Sequence, residues 1–146
     1  MNKLIIFDFN RTLYDPTVGK LFPHALDLLS TASAKGYRLV LVSRLEPGRS
    51  DVLELLGIKK YFQSIHFVHE KTRKLFEEIL STNTADPKSS YSVGDHLYSE
   101  VRHGNQCGMK TVWVRCGAFS SLRPESKDDE PWRTVSELKE VIDLLE

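Results

Sequence analysis

The stretch "KLIIFDFNRTLYDP" (residues 3–16) runs an apolar, β-branched strand directly into a polar turn. Asp8 stands at the exit of that strand, with Asn10 two residues later and Thr12 four residues later. A carboxylate at the end of a buried strand is costly unless another group pairs with it. Asp8 therefore needs a partner or a task.

The same strand-then-polar pattern recurs outward along the chain. Strands are expected at 37–43 ("YRLVLVS"), 64–68 ("SIHFV"), 91–95 ("YSVGD") and 110–114 ("KTVWV"), after the first at 3–9. Between them, helical spacing covers 23–35, 48–57, 70–81 and 97–108. A closing helix is expected at 134–145, with Val135, Leu138, Val141, Ile142 and Leu145 on its apolar face. Strands with continuous apolar runs alternating with helices predict a parallel sheet covered on both faces. The expectation is a three-layer α/β sandwich around a five-stranded parallel sheet. No repeat or Gly/Pro-rich linker divides the chain, so residues 1–146 read as one domain.

Composition narrows the function classes. Twenty basic and twenty acidic residues cancel, so no net field favours nucleic acid or an anionic membrane. The apolar run before Asp8 is too short for a signal peptide or a bilayer span. Cys107 and Cys116 form neither a CxxC pair nor a disulfide framework, which suits a reducing, cytoplasmic setting.

In parallel sheets, chemistry gathers at the carboxyl ends of the strands where strand order reverses. The groups at those exits are Asp8, Ser43, Lys71 (just past the third strand) and Asp95. Four fitting polar groups on one sheet edge point to a shared site.

In this order the chain resembles the haloacid dehalogenase (HAD) superfamily of phosphohydrolases. The first motif of that family, DxDx(T/V), reads here Asp8-Phe9-Asn10-Arg11-Thr12. Ser43 matches the Ser or Thr that ends the second strand, and Lys71 the motif lysine, with Lys74 as its rival. Gly94-Asp95 and Glu100 match the GD motif and its second acid. The resemblance implies Asp8 as nucleophile, forming an aspartyl-phosphate, and Mg²⁺ held by Asp8, Asp95, Glu100 and the backbone carbonyl of Asn10. It also implies Lys71 neutralising charge and Ser43 holding phosphoryl oxygens. Arg11 and Arg44, beside these motifs, are further candidates for binding the phosphorylated substrate.

Asn10 departs from the family pattern, in which a second Asp serves as general acid and base. An amide does not exchange a proton near neutral pH, and acid–base assistance is worth about 10²–10⁴-fold in rate. Three readings accommodate it: a slow or specialised phosphotransfer enzyme, a binding protein on an enzyme scaffold, or an Asp replaced by Asn to trap a complex. His96, beside Asp95, is a candidate substitute for the lost acid.

No cap domain is expected, because "RTLYDPTVGKLF" and "VHEKTRK" leave no room for an inserted lobe. An uncapped site admits a macromolecular phosphorylated substrate, or completion by a second subunit. The irregular stretch 116–133 starts on the site face and offers Phe119, Arg123 and Trp132 as contacts, although self-packing of its Phe and Trp is the plainer reading. "GNQCGMKT" lacks P-loop spacing and precedes a strand instead of a helix. His66 and His69 should face opposite sides of their strand. A phosphorylated receiver domain fits poorly, because "SIHFV" ends without an acid.

Overall fold

The computed structural model describes residues 1–146. Its central strand, β1 (Leu4–Phe7), is buried along its whole length. It pairs in parallel with β4 (Arg38–Arg44) on one side and β6 (Tyr91–Gly94) on the other. Beyond β4 lies β5 (Ser64–Val68), and beyond β6 lie β7 (Lys110–Val114) and β8 (Arg133–Val135), all parallel. The sheet order is β5-β4-β1-β6-β7-β8. A small antiparallel hairpin, β2 (Tyr14–Asp15) and β3 (Lys20–Leu21), follows the turn after β1.

The two-residue period of β1 assigns its side chains to two cores. Ile5 and Phe7 join a 21-residue cluster with Leu39, Leu41, Val93 and Val112. On that face the cluster is covered by α1 (Ala25–Ala34), α2 (Arg49–Leu56) and α5 (Leu138–Leu144). Leu4 and Ile6 face the opposite side with Val40 and Val42, under Phe76, Ile79 and Leu80 of α3 (Arg73–Thr82). Side chains such as Leu28 of α1 have no solvent exposure. Each stabilises the fold by about 1.5–3 kcal/mol through apolar area removed from water.

The sheet has six strands where five were expected. Thr134 and Val135 open the expected closing helix, but with Arg133 they form β8 and pair with the outer edge of β7, Val114 opposite Val135. The β-branched Thr134 and Val135 suit a pleated edge, and Val135 drops into the larger core. Both the backbone N–H and the hydroxyl of Ser136 then donate to Glu140 Oε1, turning the chain into α5. The helix expected at 97–108 is likewise divided. A π-helical turn, Leu97–Val101, precedes α4 (Arg102–Gln106). Such a bulge changes which side chains point inward, and here it buries Glu100.

Only the β2–β3 hairpin lies between β1 and α1, and residues 69–72 alone join β5 to α3. No separate lobe covers the carboxyl ends of the strands. No helix is long and apolar enough to cross a membrane.

Candidate active site

The chain leaves β1 toward β4 and β5, then returns to build β6, β7 and β8 on the other flank. Strand order thus reverses at β1, and a crevice opens between the exits of β1 and β6, as the topology of open sheets requires. Asp8 enters it from β1 and Asp95 from β6. The backbone N–H of Asp8 donates to Val93 O at 3.0 Å, tying one exit to the other.

Glu100 reaches the same point from the π-helical turn. Ligand oxygens of Asp8, Asp95 and Glu100 lie within 4.8 Å of one another, and all three residues are buried. Lys71 Nζ donates to Asp8 Oδ1 at 2.7 Å and to Glu100 Oε2 at 2.8 Å. Ser99 Oγ also donates to Glu100 Oε2, and Thr12 Oγ1 to Asp8 Oδ2.

One ammonium does not balance three carboxylates. Burial, then the charges of Asp8 and Glu100, push the Asp95 pKa up to about 8. Burial also raises that of Glu100, against the attraction of Lys71. Burial opposes charge on Lys71 itself, but Asp8 and Glu100 outweigh it and hold the ammonium protonated well above its usual range. Glu100 Oε1 is buried without a hydrogen-bond partner in the protein. An unpartnered carboxylate oxygen in an acidic, oxygen-only cluster is what a hard divalent cation satisfies. The residues present therefore fit a metal such as Mg²⁺.

Ser43, at the end of β4, has no solvent exposure. Its Oγ accepts from Arg49 Nη1 at 2.5 Å, and Arg49 Nη2 donates to Glu46 Oε2 at 2.6 Å. On the other flank, Arg11 Nε lies 3.3 Å from Asp95 Oδ2, and the Arg11 guanidinium lies over the Phe119 ring at 4.9 Å. Phe119 in turn packs on His96, with ring centroids 4.4 Å apart. Arg11 has a left-handed backbone, φ 63°. For a side chain with a Cβ, that conformation costs roughly 1–2 kcal/mol. The tight turn demands it: the N–H groups of Thr12, Leu13 and Tyr14 all donate to Phe9 O, and that of Arg11 to Tyr14 O.

Asp8, Asn10, Arg11, Ser43, Arg44, Lys71, Asp95 and Glu100 all line one open cleft of about 860 Å³. The expected motif residues and the two arginines beside them are thus brought together in it. Lys74 is not among the residues lining the cleft and lies exposed on α3. Lys71 precedes α3, whose first turn is capped by Thr72 Oγ1 accepting from Leu75 N. His69 reaches the cleft and His66 does not. His96 also lines it, with Nδ1 accepting from Tyr98 N at 3.1 Å, so the neutral ring carries its proton on Nε2. Burial lowers its pKa.

The 116–133 stretch divides its aromatics. Phe119 reaches the cleft, whereas Trp132 packs edge-on against core Tyr91. Arg123 contributes its carbonyl, which accepts from the Tyr98 hydroxyl. Arg102 pins the stretch by donating to buried Asp129 at 2.7 and 2.9 Å. Arg49 is the site residue that sequence reasoning missed. Its signal was position: Arg49 lies four residues before Leu53, and these two are the buried residues of α2.

An acidic, lysine-bridged cleft at the switch point of a parallel sheet defines an α/β core with its candidate site centred on Asp8. The HAD-hydrolase-like family matches residues 71–141, which include Lys71, Asp95 and Glu100. A glyceraldehyde 3-phosphate phosphatase from Methanopyrus kandleri is 26% identical over 132 residues, covering 86% of this chain. The chain spans 57% of that relative's length. A HAD phosphatase from Thermococcus onnurineus superimposes with a TM-score of 0.80 at 16% identity, covering 97% of each chain. The D,D-heptose 1.7-bisphosphate phosphatase from B. bronchiseptica, complexed with magnesium and phosphate, has a TM-score of 0.78 at 12% identity, over 99% of this chain and 97% of that one. Residues 71–141 thus resemble the HAD-hydrolase-like family, and the whole chain shares the fold of these haloacid dehalogenase-type structures.

Proposed function

We propose that this chain is a magnesium-dependent phosphohydrolase that works through an aspartyl-phosphate on Asp8. The observation that carries the reading is the cluster of Asp8, Asp95 and Glu100 with Lys71 bridging two of its acids. Attack by an Asp8 oxygen on phosphorus forms the aspartyl-phosphate as the bond to the leaving oxygen breaks. Water then attacks phosphorus, inorganic phosphate departs, and Asp8 is restored.

Asp8, the Asn10 backbone carbonyl, Asp95 and Glu100 would hold Mg²⁺, which when bound supplies positive charge against the phosphoryl oxygens. Lys71, held by Asp8 and Glu100, adds its own positive charge against the phosphoryl oxygens, and the Ser43 hydroxyl donates to one of them. Arg11 and Arg44 line the cleft where the remainder of the substrate would lie. A small phosphate ester is the substrate class favoured by the name of the Methanopyrus relative. The leaving oxygen takes its proton from solvent, because the Asn10 amide does not release one near neutral pH. His96 is a poor replacement, since burial favours its neutral form.

Asn10 also favours a second reading, a binding module for phosphorylated ligands on an impaired site. Beryllium fluoride separates the two, because it mimics a phosphoryl group on a carboxylate and needs no proton transfer. With Mg²⁺ present, the adduct is expected on Asp8, weakened in Ser43→Ala and Lys71→Ala. An adduct on Asp8 with steady turnover of a phosphate-ester panel supports the hydrolase. An adduct without turnover supports the binding module, and no adduct at Asp8 removes the nucleophile from the account.

A further inference from the structure

We propose that Arg49 is a positioning residue that sets the Ser43 hydroxyl for the substrate, an inference that rests on the reading of the cleft as a phosphoryl site. A serine hydroxyl has one proton to donate and two lone pairs to accept with. Arg49 Nη1, 2.5 Å away, occupies the accepting side of Ser43 Oγ. The protein acceptor within reach of the Ser43 proton is Arg44 O at 3.5 Å, the weak limit of a hydrogen bond. The proton therefore remains available to a phosphoryl oxygen in the cleft. A charged donor on Oγ also polarises the O–H bond and strengthens what it donates.

Arg49 is itself held on three sides. It is 8% exposed, its Nη2 is 2.6 Å from Glu46 Oε2, and its guanidinium lies 5.1 Å over the ring of Phe9, the residue after Asp8. A planar fork engages Ser43 and Glu46 together; a lysine ammonium at the end of a flexible stem does not reproduce that geometry.

The test is the affinity for inorganic phosphate in Mg²⁺, by calorimetry, for the parent, Arg49→Met, Arg49→Lys, Ser43→Ala and the Ser43→Ala/Arg49→Met double variant, with a melting curve for each. Arg49→Met and Ser43→Ala should each weaken binding about 10- to 100-fold, the worth of a charge-assisted hydrogen bond. The double variant should be no worse than the weaker single, and Arg49→Lys should not rescue. Equal losses from Arg49→Met with and without Ser43, or a lowered melting temperature with unchanged phosphate affinity, would overturn the proposal and leave Arg49 as a loop staple. Should Arg49→Met fail to fold, Glu46→Gln loosens the fork while keeping the charge. It should weaken phosphate binding only when Ser43 is present, and an effect independent of Ser43 also overturns the proposal. A parent that binds phosphate but turns over no ester overturns the hydrolase reading alone, and the same affinity series still decides Arg49. A parent that binds no phosphate overturns both.

Discussion

The carboxyl group of Glu100 lies directly over the α-carbon of Gly94, in the space a β-carbon would fill. Gly94 is therefore needed because the second acid crosses the backbone of β6 to reach Asp8. Gly94→Ala should expel Glu100 from the cluster, lower the melting temperature and weaken Mg²⁺ binding. Adding Glu100→Ala removes the collision, so the double variant should melt above Gly94→Ala alone, although it binds metal no better. Additive losses in that cycle would show that the crowding at Gly94 has another source.

Stability without metal should fall as pH rises. Asp95 titrates near 8 in the folded chain, against an ordinary value of 3.8. Between those values the unfolded chain gives up the proton while the folded chain keeps it, so the folded state is progressively disfavoured up to about pH 8. Half-buried His66, His96 and His103, with lowered pKa values, act in the opposite sense near neutrality. The difference in melting temperature between the parent and Asp95→Asn, in chelator, isolates the carboxyl and should shrink or reverse from pH 5 to 8.5, a window taken from roughly these pKa values. Millimolar Mg²⁺ should stabilise the parent increasingly over the same range, because the ligand must be deprotonated. A difference that does not change with pH would refute the coupling.

Arg11→Gly should separate stability from binding. Glycine adopts the left-handed φ of 63° without strain, whereas arginine carries roughly 1–2 kcal/mol of it. Losing the pair with Asp95, which is part-exposed on the Arg11 side, costs the fold about 1 kcal/mol or less. The melting temperature should therefore hold or rise slightly. The KM for a phosphate ester should rise, with kcat changing less. A large fall in kcat at constant KM would assign Arg11 to the chemical step instead.

The leaving group should report on Asn10. Alkyl phosphates depart as basic alkoxides and need a proton in the transition state; aryl and acyl phosphates do not. The parent should favour aryl and acyl phosphates, and Asn10→Asp should raise alkyl-phosphate hydrolysis by about 10²–10⁴-fold. With Asp8→Asn as the blank and matched Mg²⁺ and pH, a gain below about tenfold would mean that proton transfer does not limit this site.

Much of this site was legible because strand exits are legible. Asp8, Ser43 and Asp95 each follow an apolar run whose two-residue period and β-branching are local properties. Lys71 was readable for its place between the third strand and the Thr72 cap. Two features escaped for the same physical reason in different forms. Thr134 and Val135 sit beside a run with helical spacing, and only the vacant edge of β7 makes them a strand. Arg49, at the start of α2, is buried because Ser43, Glu46 and Phe9 surround it. Neither outcome is contained in the residues adjacent to it.

The amino-acid order by itself determined the alternation of strands and helices, the parallel sheet, and the polar group waiting at each strand exit. These follow from periodicity and local propensity, which act over a few residues. Tertiary structure alone decided the sixth strand, the π-helical turn that sends Glu100 across Gly94, the bond from Arg49 to Ser43 and the raised pKa of Asp95. Each depends on groups from different elements being brought together by the fold, and for the buried charges the energy is set by those neighbours.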